Sequence, residues 1–308
     1  TSLADAVADG AARLTAAGLP NADARIDAAV LARHVLGWDL ATWLGHQRDT
    51  VPARFPTDFD AAITRRATRE PVAYITGVRE FYGRPFRVTP ATLIPRPETE
   101  LLVERALAAL DTQLVLAGLD PQLVLAGLYP QLARDPTRPS PSVLDIGTGS
   151  GAIAVTLAAE RPDARVHATD LSPAALAVAR DNAQVLLGAG RVTFSEGAYL
   201  AGAAGPWDVI VSNPPYVADA DRVTLARDVV GHEPHLALFA GTDGLSCIRE
   251  IVRLAPAHLT RGGWLLFEFG FGQAGAVRDL IEGTAGLTFS EIVADLQGIP
   301  RVAIASAR

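Results

Sequence analysis

The chain has 308 residues, 49% hydrophobic and 20% charged, enough apolar material for about two packed domains. Its net charge is -7 and every one of its 27 Lys-plus-Arg positions is arginine. That balance argues against a surface built to grip phosphate backbones, and it removes any mechanism resting on a P-loop lysine, a Schiff base or a lysine base. The single cysteine, Cys247, excludes an internal disulfide and a multi-thiolate metal site and reads as a buried helix residue. No histidine pair has H-E-x-x-H spacing, and His232 and His235 around Glu233 are too weak a signal to expect a metal. The chain shows no signal-like opening. Its longest weakly charged stretch, Thr112 to Ala133, is interrupted by Asp120-Pro121, Gly118 and Gly127, short of the roughly 20 residues that a membrane helix requires. The expectation is a cytoplasmic protein with no membrane partner.

Residues 1–70 read as a small helical domain. Leu3, Val7, Ala11 and Leu14 share one helical face, Pro20-Asn21 breaks the chain, and Ile26, Val30, Leu31, Val35 and Leu36 repeat the spacing. Trp38 to Leu44 suggests a third helix and Phe59 to Arg69 a fourth. In residues 71–97, Phe81 to Val88 and Thr92 to Ile94 alternate like strands around Thr89-Pro90-Ala91, which predicts a β-hairpin joining two domains. Pro95-Arg96-Pro97-Glu98-Thr99-Glu100 then leads into a helix through Leu110. Glu98 and Thr99 suit its first turn, and Arg96, held between two prolines, is placed to aim a cation at an anionic ligand.

A tandem nonapeptide occupies residues 113–130, from Gln113 to Pro121 and again from Gln122 to Pro130. Two copies are too few for a solenoid, so residues 111–141 read as an insertion closed by the proline-rich run Asp135 to Pro141.

From Ser142 the pattern is regular βαβ. Strands are expected at Val143–Ile146, Arg165–Thr169, Arg191–Phe194, Trp207–Val211, Trp264–Phe269 and Arg301–Ala305. Helices are expected at Ala152–Glu160, Pro173–Leu187, Gly244–Leu259 and Gln273–Glu282. Such alternation predicts a largely parallel sheet covered by helices on both faces.

Two loops in this region carry chemistry. Asp145-Ile146-Gly147-Thr148-Gly149-Ser150-Gly151 lies between the first strand and its helix, where glycines permit a tight turn and a close ligand approach and the helix N-terminus offers free N–H groups. Asp170 closes the second strand, where a carboxylate can accept ribose hydroxyls. The glycine loop also fits a permissive dinucleotide pattern, but a hydride-transfer enzyme needs a placed His, Tyr-Lys pair or metal, and none stands out. The second loop is Asn213-Pro214-Pro215-Tyr216, directly after the apolar run Trp207 to Val211. Two prolines end the strand and leave a rigid loop at its carboxyl end, the edge at which open α/β sheets bind ligands. An asparagine oxygen and a proline carbonyl there suit the two hydrogens of a planar NH2 group, whether on a nucleobase or on a carboxamide.

The block Phe81-Tyr82-Gly83 through Leu93-Ile94-Pro95-Arg96-Pro97-Glu98-Thr99-Glu100, the glycine loop, Asp170-Leu171-Ser172, the tetrad and Glu233-Pro234 together resemble the HemK/PrmC family over nearly the whole chain. The resemblance implies a Rossmann-like class I methyltransferase domain over residues 98–308 and a substrate-docking role for the helical domain. It also implies N5-methylation, by S-adenosylmethionine, of the glutamine in the Gly-Gly-Gln motif of peptide chain release factors. Carried over residue by residue, Asp145, Gly147, Thr148, Gly149, Ser150, Gly151, Asp170, Leu171, Ala198 and Asn213 would hold the cofactor. Asn213, Pro214 and Tyr216 would be catalytic, and Asn213, Pro214, Pro215, Tyr216 and Arg96 would meet the substrate. One departure is Gly197-Ala198, aligned with the acidic and large apolar residues that the resemblance implies beside adenine; the neighbouring Tyr199 or Glu196 would then have to compensate. The alternatives are exocyclic amino methylation of a nucleobase in DNA or RNA, disfavoured by the acidic balance, and methylation of a ribosomal-protein glutamine. A non-enzymatic binding module would leave the paired loops without a use.

Overall fold

The computed structural model describes residues 2–116 and 140–308. Most of the tandem nonapeptide and of the proline-rich run therefore lies outside the described residues. Contacts divide the chain into two compact units, Thr1–Val78 with Leu225–Glu233, and Arg79–Thr224 with Pro234–Arg308. Among the described residues no helix is long and apolar enough to cross a membrane.

The first unit opens with α1 (Leu3–Ala16), α2 (Asn21–Leu36), α3 (Leu40–His46), α4 (Phe55–Ala67) and α5 (Val72–Thr76). A reciprocal capping box starts α1: the Asp5 backbone N–H donates to Ser2 Oγ, and the Ser2 backbone N–H donates to the Asp5 carboxylate. The buried face of α2 differs from the spacing expected for it. Ala24, Ala28, Leu31 and Ala32 are buried while Ile26 is 62% exposed. α2 packs on α1 and α4 through a stripe of alanines, and small side chains let helix axes approach closely enough to outcompete the larger apolar residues for the inner face.

The second unit begins with a hairpin of β1 (Val78–Phe81) and β2 (Arg84–Arg87). Its turn is Tyr82-Gly83, with φ of 51° and 71°, not Thr89-Pro90-Ala91. Two successive left-handed residues form the two-residue turn whose twist matches paired strands, and this fixes the hairpin earlier in the chain than alternation suggested. Thr92 to Ile94 is irregular. A 3-10 turn at Pro97–Thr99 then leads into α6 (Glu100–Leu116).

The sheet follows: β3 (Ser142–Ile146), α7 (Ala152–Glu160), β4 (Arg165–Asp170), α8 (Pro173–Leu187), β5 (Val192–Glu196) and β6 (Trp207–Ser212). α8 starts as its sequence dictates, with Pro173 in its first turn and Ser172 Oγ accepting from the Ala175 N–H at 3.2 Å.

Between β6 and the next strand the chain contributes Leu225–Glu233 to the first unit, as the short helix α9 (Arg227–His232). There Arg66, 7% exposed, donates to Asp27 Oδ2 at 2.7 Å and to Asp228 Oδ2 at 2.6 Å. The chain then completes the sheet with α10 (Ser246–Leu254), β7 (Leu259–Glu268), α11 (Ala274–Glu282), β8 (Leu287–Ala294) and β9 (Pro300–Ala307).

The strand order is β5-β4-β3-β6-β7-β9-β8. The first five pair in parallel and β9 runs antiparallel to both β7 and β8. The α/β class expected from the sequence is therefore the one found, with a mixed sheet. β8 escaped the sequence reading because it is an edge strand with only Leu287 and Val293 buried, and the pairing slips at Phe289/Glu291 and Val293/Ala294. β3 has β4 on one side and β6 on the other; the chain runs outward from β3 through β4 to β5 and then crosses back to add β6 on the opposite side, so the strand order reverses at β3. The carboxyl ends of these three strands form the crevice that such a switch point opens.

Candidate active site

The glycine loop is shaped by its own backbone. Gly147, Gly149 and Gly151 have φ of 71°, 57° and 82°, a region that side chains with a Cβ enter only under strain. The N–H groups of Gly147 and Thr148 both donate to the Thr169 carbonyl, at 2.9 and 3.0 Å. Asp145 braces the loop from beneath: fully buried, its Oδ2 accepts from Thr148 Oγ1 at 2.6 Å and from the Ala154 N–H at 3.2 Å. Burial pushes its carboxyl up to about 7, against the pull of those two donors. Gly151 serves packing, since a Cβ there would stand 3.2 Å from the Cβ of Ala179 on α8. Asn182, also on α8, donates to the Ser150 carbonyl at 2.8 Å and pairs through both side-chain atoms with the Arg87 backbone.

Asp170 ends β4 with its side chain across the loop. Its Oδ2 accepts from the Gly149 N–H and its Oδ1 from the Ser172 N–H, both at 2.8 Å. Burial raises its carboxyl, and these backbone donors oppose the rise. After β5 the Gly197 N–H donates to the Asp170 carbonyl at 3.1 Å. A Cβ on Gly197 would lie 2.0 Å from the Ala201 carbonyl oxygen. This backbone thus has no room for a side chain at Gly197, the position at which the resemblance implied an acid. Tyr199, rather than Glu196, joins Ala198 in the cavity wall, and its phenol reaches Cys247 Sγ at 3.8 Å.

The tetrad leaves β6 after Ser212, whose Oγ donates to the Ile146 carbonyl at 2.8 Å and so ties the end of β6 to the end of β3. Asn213 Nδ2 donates to Thr99 Oγ1 at 3.0 Å, and Thr99 Oγ1 donates to Glu268 Oε2 at 2.7 Å. The other oxygen of Glu268, at the end of β7, accepts from the Tyr216 phenol at 3.0 Å. Gln273 Nε2 donates to the Tyr216 carbonyl at 3.0 Å. Gly244, φ 72°, passes so close that a Cβ would lie 2.3 Å from that same carbonyl oxygen. Burial, then the adjoining Glu268 carboxylate, push the Tyr216 phenol well above its usual range. Burial also raises Glu268, and the Thr99 and Tyr216 hydroxyls with Arg301 oppose it.

One cavity unites both loops. Gly147 to Ser150, Asp170, Leu171, Ala198 and Asn213 to Pro215 line it. Asp145 and Gly151 stand behind the wall as brace and packing contact. Tyr216 turns its ring into the hydrophobic core around Phe269 and its hydroxyl to Glu268. Arg96 is half-buried near Tyr216 and outside the lining. Sequence reasoning passed over Thr92, Leu93, Pro95 and Cys247 in the wall and Glu268 behind it. For Glu268 a signal existed: an acid inside the apolar run Leu265 to Phe269 must be paired if the strand is buried. A Cβ on Gly147 or Gly149 would enter open space, so a ligand can lie directly against that backbone, and the Asp170 carboxylate stands at its edge. The donor set fits an adenosyl cofactor with a charged tail.

A sheet of this order, with a glycine loop, an acidic strand end and an Asn-Pro-Pro-Tyr loop on one cavity, defines an S-adenosylmethionine-dependent methyltransferase. The protein-family model described as methyltransferase small domain matches residues 128–236. The catalytic domain of hMettl16 shares the fold, with a TM-score of 0.53 at 14% identity over 77% of this chain and 80% of that one. The model described as PrmC N-terminal domain matches residues 5–77. The release factor glutamine methyltransferase of Cereibacter sphaeroides is 45% identical over 97% of this chain and 96% of its own. Those of Neisseria gonorrhoeae (42%; 91% and 92%) and Burkholderia pseudomallei (44%; 90% and 90%) are similarly close. The chain belongs to the release factor glutamine methyltransferase family.

Proposed function

We propose that this protein methylates the side-chain amide nitrogen, N5, of the glutamine in the Gly-Gly-Gln motif of peptide chain release factors, in the cytoplasm. The helical unit, residues 1–78 with 225–233, docks the protein substrate. The observation that carries this reading is the single cavity lined by both the glycine loop and Asn213 to Pro215, in a chain so similar to its relatives over almost its whole length. The net charge of -7 and the lack of an arginine-rich arm favour a protein substrate over a nucleic acid.

An amide nitrogen is a weak nucleophile because its lone pair is delocalised into the carbonyl, so orientation is the main task of the site. Gly147, Thr148, Gly149 and Asp170 would hold the cofactor, which supplies an electrophilic sulfonium methyl when bound. Asn213 Nδ2 is engaged by Thr99, which leaves Oδ1 to accept one hydrogen of the substrate NH2; the Pro214 carbonyl accepts the other. Both acceptors favour the more localised, positively polarised nitrogen of the transition state. Alignment of two bound reactants can supply about 7 to 11 kcal/mol; the N-methylated amide cation that forms is acidic enough to release its extra proton to water, so no strong base is required. The deprotonation-resistant Tyr216 phenol fits a structural anchor rather than a base.

The test is transfer of labelled methyl to purified release factor, with its Gln→Ala version as control. One methyl per wild-type factor and none on the control is expected. Label on the control would refute a single glutamine target, and methylation of DNA or RNA in its place would refute the protein substrate.

A further inference from the structure

We propose that Glu268 is a positioning residue which, through Thr99, sets which atom of the Asn213 amide faces the cavity. The inference rests on the acceptor role of Asn213 stated above.

The two ends of an asparagine amide are nearly the same size, and only hydrogen bonding tells them apart. If Asn213 presented its NH2 to a substrate NH2, donor would meet donor and nothing would orient the nucleophile. Thr99 prevents this. Its hydroxyl has a single proton, directed to Glu268 Oε2 at 2.7 Å, and a carboxylate can only accept. Thr99 Oγ1 must then accept on its other side, and the Asn213 atom 3.0 Å away can only be Nδ2. Oδ1 is thereby turned to the cavity.

The relay is locked from behind. Glu268 is 1% exposed and Thr99 4% exposed, and Tyr216 holds the second carboxylate oxygen at 3.0 Å, so Glu268 cannot rotate away from its two donors. The groups that face it are the Thr99 hydroxyl and the Glu98 carboxylate in the turn before α6, the Tyr216 phenol after β6 and Arg301 on β9. Arg301 favours the ionised form on which the polarity depends, while burial and Glu98 oppose it. Protonated, Glu268 could donate to Thr99, whose own proton would swing toward Asn213 and reverse the amide. An acidic limb in the turnover profile follows.

Glu268→Gln separates positioning from mere support. The variant has the same shape and still offers two hydrogen bonds. The arrangement that satisfies every buried hydroxyl has Gln Oε1 accepting from Tyr216 and Nε2 donating to Thr99. Thr99 then donates forward to Asn213 and inverts the amide. A structural role alone would leave activity intact. We expect E268Q to fold with a melting temperature near that of the wild type and to bind S-adenosylmethionine within about threefold by calorimetry. Its turnover on release factor should fall by about tenfold or more, the size of one misdirected hydrogen bond, and its acidic limb should disappear. Thr99→Ser keeps the hydroxyl and should retain turnover within about threefold, whereas Thr99→Val should lose as much as E268Q. Wild-type turnover in E268Q, or equal losses in Thr99→Ser and Thr99→Val, would overturn the proposal. Inactivity of the wild type on release factor would instead sink the substrate assignment, while leaving the cofactor-binding measurements interpretable.

Discussion

The two loops that share the cavity are built on opposite plans. The glycine loop is held almost entirely from within its own βαβ unit: Asp145 fixes Thr148 and Ala154, the Thr169 carbonyl and the Asp170 carboxylate on the adjoining strand take three loop N–H groups, and Asn182 on the following helix holds the Ser150 carbonyl. The acceptor loop is held by residues far away in the chain. Thr99 precedes α6, Glu268 ends β7, and Gln273 and Gly244 secure the Tyr216 carbonyl from beyond the next helices. Backbone contacts within one βαβ unit suffice to shape a loop, whereas holding one polar side-chain atom in one orientation takes supporting side chains from several elements.

The largest expected effect separates the two loops by function. Asn213→Ala removes the acceptor but leaves the glycine loop untouched. Turnover should drop by at least about a hundredfold while affinity for S-adenosylmethionine stays within about tenfold, since one lost amide contact is worth roughly 1 to 2 kcal/mol. Single-turnover methyl transfer together with calorimetry reads both quantities. Equal losses in both would mean that the loops do not divide the labour in this way.

Asp170→Ala tests the other side. It deprives the Gly149 and Ser172 N–H groups of their acceptor and takes a carboxylate from the edge of the cavity. Cofactor affinity should weaken by about ten- to a hundredfold, as expected for the loss of about 1.5 to 3 kcal/mol of charge-assisted hydrogen bonding, with a smaller change in turnover at saturating cofactor. Unchanged affinity would remove Asp170 from the cofactor site.

How the loops are built also explains what the sequence revealed. The parallel strands, α7 and α8 were legible because buried parallel strands read as apolar runs and Ser172-Pro173 is a local start signal. The glycine loop and the tetrad were legible because their constraints are local: positive φ in one, paired prolines in the other. Thr99 and Glu268 were opaque as partners, because one looks like an ordinary first-turn residue and the other like a lone acid in a strand, and only the fold brings them within hydrogen-bond reach. The hairpin turn was misplaced for a related reason. Thr89-Pro90-Ala91 has the composition of a turn, but the backbone twist at Tyr82-Gly83 decides the pairing. The alanine face of α2 was hidden because close packing rewards small residues that a hydrophobicity pattern ranks below Ile26.

Gly244→Ala probes the acceptor loop without touching a polar group. Its added methyl meets the Tyr216 carbonyl oxygen at a distance no real Cβ tolerates, and its φ of 72° adds strain. The cost should be about 1 to 3 kcal/mol of stability, with turnover lowered more than cofactor affinity as the tetrad shifts. A variant whose turnover and affinity fall together would show that the clash spreads to the glycine loop.

The smallest expected effect on turnover belongs to Asp145→Asn, and its signature lies in pH. In the folded chain burial holds the Asp145 carboxyl proton up to about 7, against a usual value of 3.8. Between those limits the folded state keeps a proton that the unfolded chain has released. Stability from this group is therefore complete below the lower value, falls as pH rises, and levels off above the upper one. Asn does not titrate. Relative to the wild type, the variant should gain on the order of 2 kcal/mol between pH 5 and pH 8 in chemical denaturation, whatever its absolute stability. Asn can still accept from Thr148 and Ala154 through its oxygen, so turnover at neutral pH should stay within about threefold. Parallel pH profiles for the two proteins would mean that Asp145 is ionised in the folded state. The brace beneath the glycine loop would then be a charged one, held by its two donors against burial.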